Sequence, residues 1–270
     1  MKISRRILVC IPNFLTLCNS LCGFAAILYS LSVYEHNAQP DNAMQILNVL
    51  AVCAWIILFA MVFDALDGFV ARLLNASSLH GIQMDSLADM VTFGLAPAVI
   101  IAIMTHWLTL ENPSWLGSAV VTYILCAVYV GCAALRLATY NVHALLEKKS
   151  GDLFCGLPSP GAAAGVCSVV MVWEFFAEKL QPLAVWLPVY AALLGLLMVS
   201  PIPYFHVGKY LASLKKRPRR LVWVILVAAV LIAAKLPGLV VLLNLYIFSA
   251  PVIWFCKLFC RRKQTEGEAA

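Results

Sequence analysis

Apolar residues run along this chain in eight long blocks, near 11–33, 44–74, 82–107, 115–140, 160–178, 182–203, 219–235 and 238–256. A helix needs about 20 apolar residues to cross the hydrocarbon core of a bilayer. In lipid, helices and closed barrels are the structures that satisfy every backbone polar group. The pattern predicts an all-α fold, a polytopic membrane helix bundle. The second block is long enough to project beyond the bilayer on one side. The seventh and eighth are short and joined by a tight Lys235-Leu236-Pro237-Gly238 turn. No soluble domain and no clear internal repeat interrupts the series.

Composition agrees. The chain is 63% hydrophobic and 12% charged, with a mean hydropathy of +0.91, whereas a soluble domain is nearer half apolar and a quarter charged. A water-soluble globule is excluded. Lys2, Arg5 and Arg6 ahead of an apolar run imitate a signal peptide. That run continues from Ile7 to about Val33, too long for an h-region, and shows no convincing small-residue cleavage site, so it reads as a retained first span. Ten cysteines form no CxxC pair and the five histidines do not cluster with them; they read as small packing residues rather than a zinc site.

Charge sets the orientation. Basic residues gather at the N-terminus, at Arg72, at Arg136, Lys148 and Lys149, between residues 209 and 220, and in the C-terminal tail. Lys179 and Lys235 fall on the other side. With an even number of spans, this bias places both termini in the cytoplasm. The net charge of +6 is accounted for by membrane orientation and by attraction to anionic headgroups, with no need for nucleic acid. The simple topology, with no transit peptide, is that expected of a bacterial cytoplasmic membrane protein.

Against this apolar background, four carboxylates crowd together. Asp64 and Asp67 are three apart and share one helix face; Asp85 and Asp89 are four apart and share another. The stretch from Asn75 to His80 makes a short connection that folds the third block back against the second, so the carboxylates can converge. Each ionised Asp facing lipid costs about 2.5–3.5 kcal/mol, and four cost on the order of 10 kcal/mol. They are therefore expected to face a polar cavity that holds metal. Oxygen-only ligands select hard cations such as Mg²⁺, Mn²⁺ or Ca²⁺ over zinc, and Mg²⁺ commonly shares its coordination with substrate phosphates. A proton or cation pathway through a transporter would also use acidic residues inside spans.

The full stretch reads D-x2-D-G-x2-A-R-x8-G-x3-D-x3-D, with Asp64, Asp67, Gly68, Ala71, Arg72, Gly81, Asp85 and Asp89 at the fixed positions. It resembles the signature of the CDP-alcohol phosphotransferase family. At roughly one in twenty per position, chance agreement at all eight is on the order of 10⁻¹⁰ per starting point. The resemblance implies a six-helix catalytic core, residues 1–205, followed by a basic loop, two extra C-terminal spans and a cytoplasmic tail, residues 206–270. It implies that Asp64, Asp67 and Asp85 bind one or two Mg²⁺ or Mn²⁺ ions, with Asp89 also near them. Asp89 is the candidate general base for the attacking hydroxyl. CDP-diacylglycerol would be held by Asp64, Gly68, Ala71, Arg72, and by Asn13 and Thr16 on one face of the first helix. A homodimer is carried over in the same way.

Further segments resemble the phosphatidylserine synthase branch: Ile11 to Asn19, Asp85 to Pro97, Arg136 to Val142, and Gly156-Leu-Pro-Ser-Pro160. Glycerol-phosphate branches typically carry Lys directly after the last motif Asp, where this chain has Met90. The resemblance points to L-serine as acceptor, with membrane lipids as the setting. Serine's carboxylate needs a cation, and Arg136 with Asn141 is the expected acceptor contact. Ser159, with no His or Asp positioned nearby in sequence, is not expected to be a nucleophile. Sibling acceptors are glycerol 3-phosphate, inositol, choline or inositol phosphate.

Overall fold

The structure is a computed structural model, and it describes residues 5–35, 43–74, 78–110, 114–146, 156–204 and most of 238–256. The basic 209–220 stretch, the expected seventh span at 219–235 and the charged tail lie outside the described residues. Helix α1 runs over Arg5–Glu35 and α2 over Ala43–Leu73. The third span is composite: α3 (Leu79–Asp89), a π-helical segment (Met90–Leu95) and α4 (Ala96–Thr109). Then come α5 (Ala119–Leu146), α6 (Ser159–Leu180), a 3-10 turn (Gln181–Trp186) and α7 (Leu187–Val199). A shorter apolar helix, α8, covers Leu243–Trp254. No strand occurs among the described residues.

Five stretches are long and apolar enough to cross a membrane: Cys10–Tyr34, Met44–Leu73, Leu79–Thr109, Ala119–Val142 and Gln181–Val199. The chain is a multi-pass helical membrane protein. α1 lies along α2 and against α3; α2 also packs on α6, and α5 on α7. The outward faces carry large apolar groups such as Phe14, Phe24, Trp55 and Phe59, as lipid contact requires, while Leu50, Ile57, Phe93, Ile100 and Met104 close the interior. Cys53, Cys126, Cys132 and Cys167 are buried and free, the packing role their sequence context predicts.

Two local features shape the third span. Ser78 caps α3, its hydroxyl accepting from the Gly81 N–H at 3.0 Å, so the helix starts three residues earlier than the expected 82. Pro97, in the first turn of α4, has no N–H with which to bond the carbonyl of Phe93 four residues back. The fully buried Tyr129 donates its hydroxyl to that carbonyl at 2.8 Å instead. Upstream of the proline the backbone widens: the Ala96 N–H bonds the Val91 carbonyl, five residues back, as a π turn does.

Candidate active site

The motif aspartates come together at the facing ends of α2 and α3. Asp64, Asp67 and Asp85 each offer a carboxylate oxygen, and these atoms all lie within 4.8 Å of one another. Asp64 and Asp67 are one α-turn apart on α2, and Asp85 reaches them from α3 because the 75–77 connection is short. Asp89, one turn further along α3, is buried at 9% exposure and interacts electrostatically with Asp64, Asp85 and Asp67. The convergence expected from the spacing is therefore what the fold shows.

Such a cluster is repulsive as it stands. An Asp85 Oδ1 that is buried without a hydrogen-bond partner makes the same point at one atom. A hard divalent cation answers both problems, since carboxylate oxygens are its preferred ligands. The three close aspartates fit such an ion; nothing in their geometry selects one metal over another.

α1 supplies the polar contacts. Thr16, on a buried part of its face, donates to Asp67 Oδ2 at 2.7 Å, with the Pro12 carbonyl a second acceptor at 3.0 Å. The side chain of Asn13 faces the glycine of α3: a Cβ on Gly81 would stand 3.5 Å from its Oδ1. Gly68 and Ala71 are half-buried, and the exposed Arg72 folds back so that a Cβ on Gly68 would lie 3.7 Å from Nη1. Gly68 thus leaves open the space between the aspartates and that guanidinium.

On the opposite side, α5 contributes Arg136 and Asn141. Arg136 feels the charge of Asp89 and donates from Nη1 to Ser159 Oγ at 2.6 Å, while its Nε is buried with no partner. Asn141 accepts from Ser86 of α3 at 2.9 Å. The two are drawn toward the carboxylates through different neighbours. Two residues were not singled out by sequence reasoning. Ser159, considered there only as a nucleophile, is fully buried at the start of α6 and receives the Arg136 guanidinium. Asn19, also fully buried, donates from Nδ2 to Asp89 Oδ1 at 3.2 Å. Both lie inside the branch-like segments, yet a lone Ser or Asn in a span carries no signal of what it meets.

The model of the CDP-alcohol phosphatidyltransferase family matches residues 9–197. Among curated relatives, a CDP-diacylglycerol–serine O-phosphatidyltransferase of Helicobacter pylori is 30% identical over 246 residues, 90% of each chain. One of the same name from Bacillus subtilis is 32% identical over 204 residues, 75% of this chain and 94% of its own. An archaetidylserine synthase of Methanothermobacter thermautotrophicus is 30% identical over 212 residues, covering 76% and 73%. With the family model spanning well over half of the sequence, and similarity to one relative running along nine-tenths of it, this chain belongs to the CDP-alcohol phosphatidyltransferase family.

Proposed function

We propose that this protein transfers the phosphatidyl group of CDP-diacylglycerol to the hydroxyl of L-serine, giving phosphatidylserine and CMP. The observation that carries the reading is the cluster of aspartates at the ends of two membrane helices, in a chain whose relatives are named for transfer to serine. Residues 1–205, six helices, form the catalytic core in this proposal, and 206–270 add a basic loop, two spans and a tail. The enzyme works as a homodimer in the bacterial cytoplasmic membrane, with both termini cytoplasmic, as the basic residues of the connecting loops favour.

Asp64, Asp67 and Asp85 would hold one or two Mg²⁺ or Mn²⁺ ions, with Asp89 beside them, and such ions would neutralise the pyrophosphate and ease the departure of CMP. Asn13 and Thr16 line the nucleotide from α1; Gly68 and Ala71 give it room against α2; Arg72 offers its fork of donors to phosphate. Asp89 takes the proton of the serine hydroxyl as its oxygen bonds the lipid-side phosphorus. The bond from that phosphorus to the CMP oxygen breaks, and the electron pair leaves with CMP. Arg136 and Asn141 hold serine, Arg136 pairing with its carboxylate.

The purified protein with CDP-diacylglycerol and Mg²⁺ or Mn²⁺ should release CMP when serine is added, and should not do so with glycerol 3-phosphate, inositol or choline. Release with one of those alone identifies a sibling enzyme, and no release with any acceptor favours a cation pathway. Arg136→Ala should raise the KM for serine by about 10-fold or more, the value of one charge-assisted hydrogen bond, and Ser159→Ala should move it in the same direction by less. Lower turnover at an unchanged serine KM would remove Arg136 from the acceptor site.

A further inference from the structure

Asn19 is a costly choice for its position. It is fully buried in the first span, and its Oδ1 has no hydrogen-bond partner. A buried polar atom left unpaired costs about 1–3 kcal/mol, so a leucine there would pack at no such cost. What the amide does provide is its donor, aimed from Nδ2 at Asp89 Oδ1 across 3.2 Å.

The backbone around it is held from the same quarter. Thr92, three residues past Asp89, donates its hydroxyl to the Asn19 carbonyl at 2.9 Å. One turn along α1, Gly23 lets the two elements touch, for a Cβ there would lie 2.7 Å from the Thr92 Cα. The two hydrogen bonds therefore form a reciprocal bracket: Asn19 reaches to Asp89 by its side chain, and Thr92 reaches back to Asn19 from the π segment.

We propose that Asn19 is a positioning residue for Asp89, fixing one carboxylate oxygen so that the other is presented to the acceptor hydroxyl; this rests on the reading of Asp89 as the proton acceptor. The terminal torsion of an aspartate is broad and roughly two-fold. Asp64 also shares a hydrogen bond with Asp89; the amide of Asn19 adds a neutral donor that stays a donor whatever the charge of the cluster. The donor from α1 sets its orientation, and Thr92 and Gly23 set the height of α1 against the third span.

The test is steady-state CMP release by the purified full-length protein, alongside CDP affinity and thermal stability in detergent. Asn19→Leu keeps the branched shape of the side chain, with somewhat more bulk, and removes the donor. Its kcat should fall by about 30- to 100-fold, the scale of a misplaced reacting group, while the KM for serine and for CDP-diacylglycerol and the Kd for CDP stay within about twofold. Thr92→Val, which keeps the shape and loses only the bracket, should lower kcat by about 3- to 10-fold in the same pattern, and decides the matter if the first variant does not accumulate. Unchanged kcat in Thr92→Val and in any folded Asn19→Leu overturns the proposal, as does a parallel loss of CDP affinity, which would place Asn19 in nucleotide binding. Transfer surviving in Asp89→Asn would instead defeat the Asp89 reading itself, a result independent of the Asn19 variants.

Discussion

Asp67→Asn is expected to leave the protein folded and to lower CMP release by about 10²- to 10³-fold, the scale on which removing a preorganised electrostatic contact acts. The asparagine keeps the size of the side chain and an oxygen able to accept from Thr16, whose hydroxyl stands 2.7 Å from Asp67 Oδ2. What disappears is one of three carboxylates whose oxygens lie within 4.8 Å. The stability readout should run the other way. Without divalent metal, the variant melts at or above the wild-type temperature, because one of several mutually repelling charges is gone. Added Mn²⁺ then stabilises the wild type by linkage and the variant much less. Asp89→Asn should separate from this pattern: transfer is lost while CDP binding largely survives. Joint loss of both would make Asp89 chiefly a metal ligand.

Gly156→Ala should be the most damaging single substitution for the fold. Gly156 stands at φ +91°, a conformation an L-residue adopts at a cost of about 1–2 kcal/mol. A Cβ there would also run into the carbonyl oxygen of Met198. Relief by a side-chain rotation is not available, since the obstacle is backbone. The Gly156 N–H bonds the Ile202 carbonyl at 2.8 Å and the Leu157 N–H the Leu197 carbonyl at 3.0 Å, so any retreat breaks the docking of this strap on the end of α7. A loss of about 3 kcal/mol or more is expected, adding overpacking to the backbone cost, visible as a lowered Tm in detergent. Because Ser159 lies three residues further on and holds Arg136, the folded remainder should also need more serine.

The spans and the aspartate cluster were legible in the sequence for the same reason. Lipid makes long apolar runs mandatory, and it makes carboxylates inside them conspicuous; Asp64, Asp67, Asp85 and Asp89 stood out as four acids crowded into one such stretch, unlike Glu174 in a later one. Spacing then gave the shared faces, and the short 75–80 connection gave the convergence. What did not show was tertiary. Asn19 reads as one more polar residue in a span, and its meeting with Asp89 depends on how far α1 slides along the third span, which Gly23 and Thr92 decide. The partnership of Arg136 with Ser159 joins residues 23 apart across a stretch outside the described residues. The break in the third span was hidden because Met90-Val-Thr-Phe-Gly-Leu95 suits an α-helix as well as a π turn; Pro97 is its mark, and a proline near mid-span has several possible consequences.

That break divides the third span into two phases. An α-helix advances about 100° per residue, and a π turn takes up one residue more than an α turn would. Asp85 and Asp89 keep time with the capped start of α3, while Ile100, Ile101 and Met104 follow a clock that restarts after Leu95. A single helical wheel drawn from Leu79 to Thr109 would therefore misplace one half relative to the other. The rotation that aims the carboxylates and the rotation that seals the bilayer interior are set separately, so either half of this span can be retuned without turning the other.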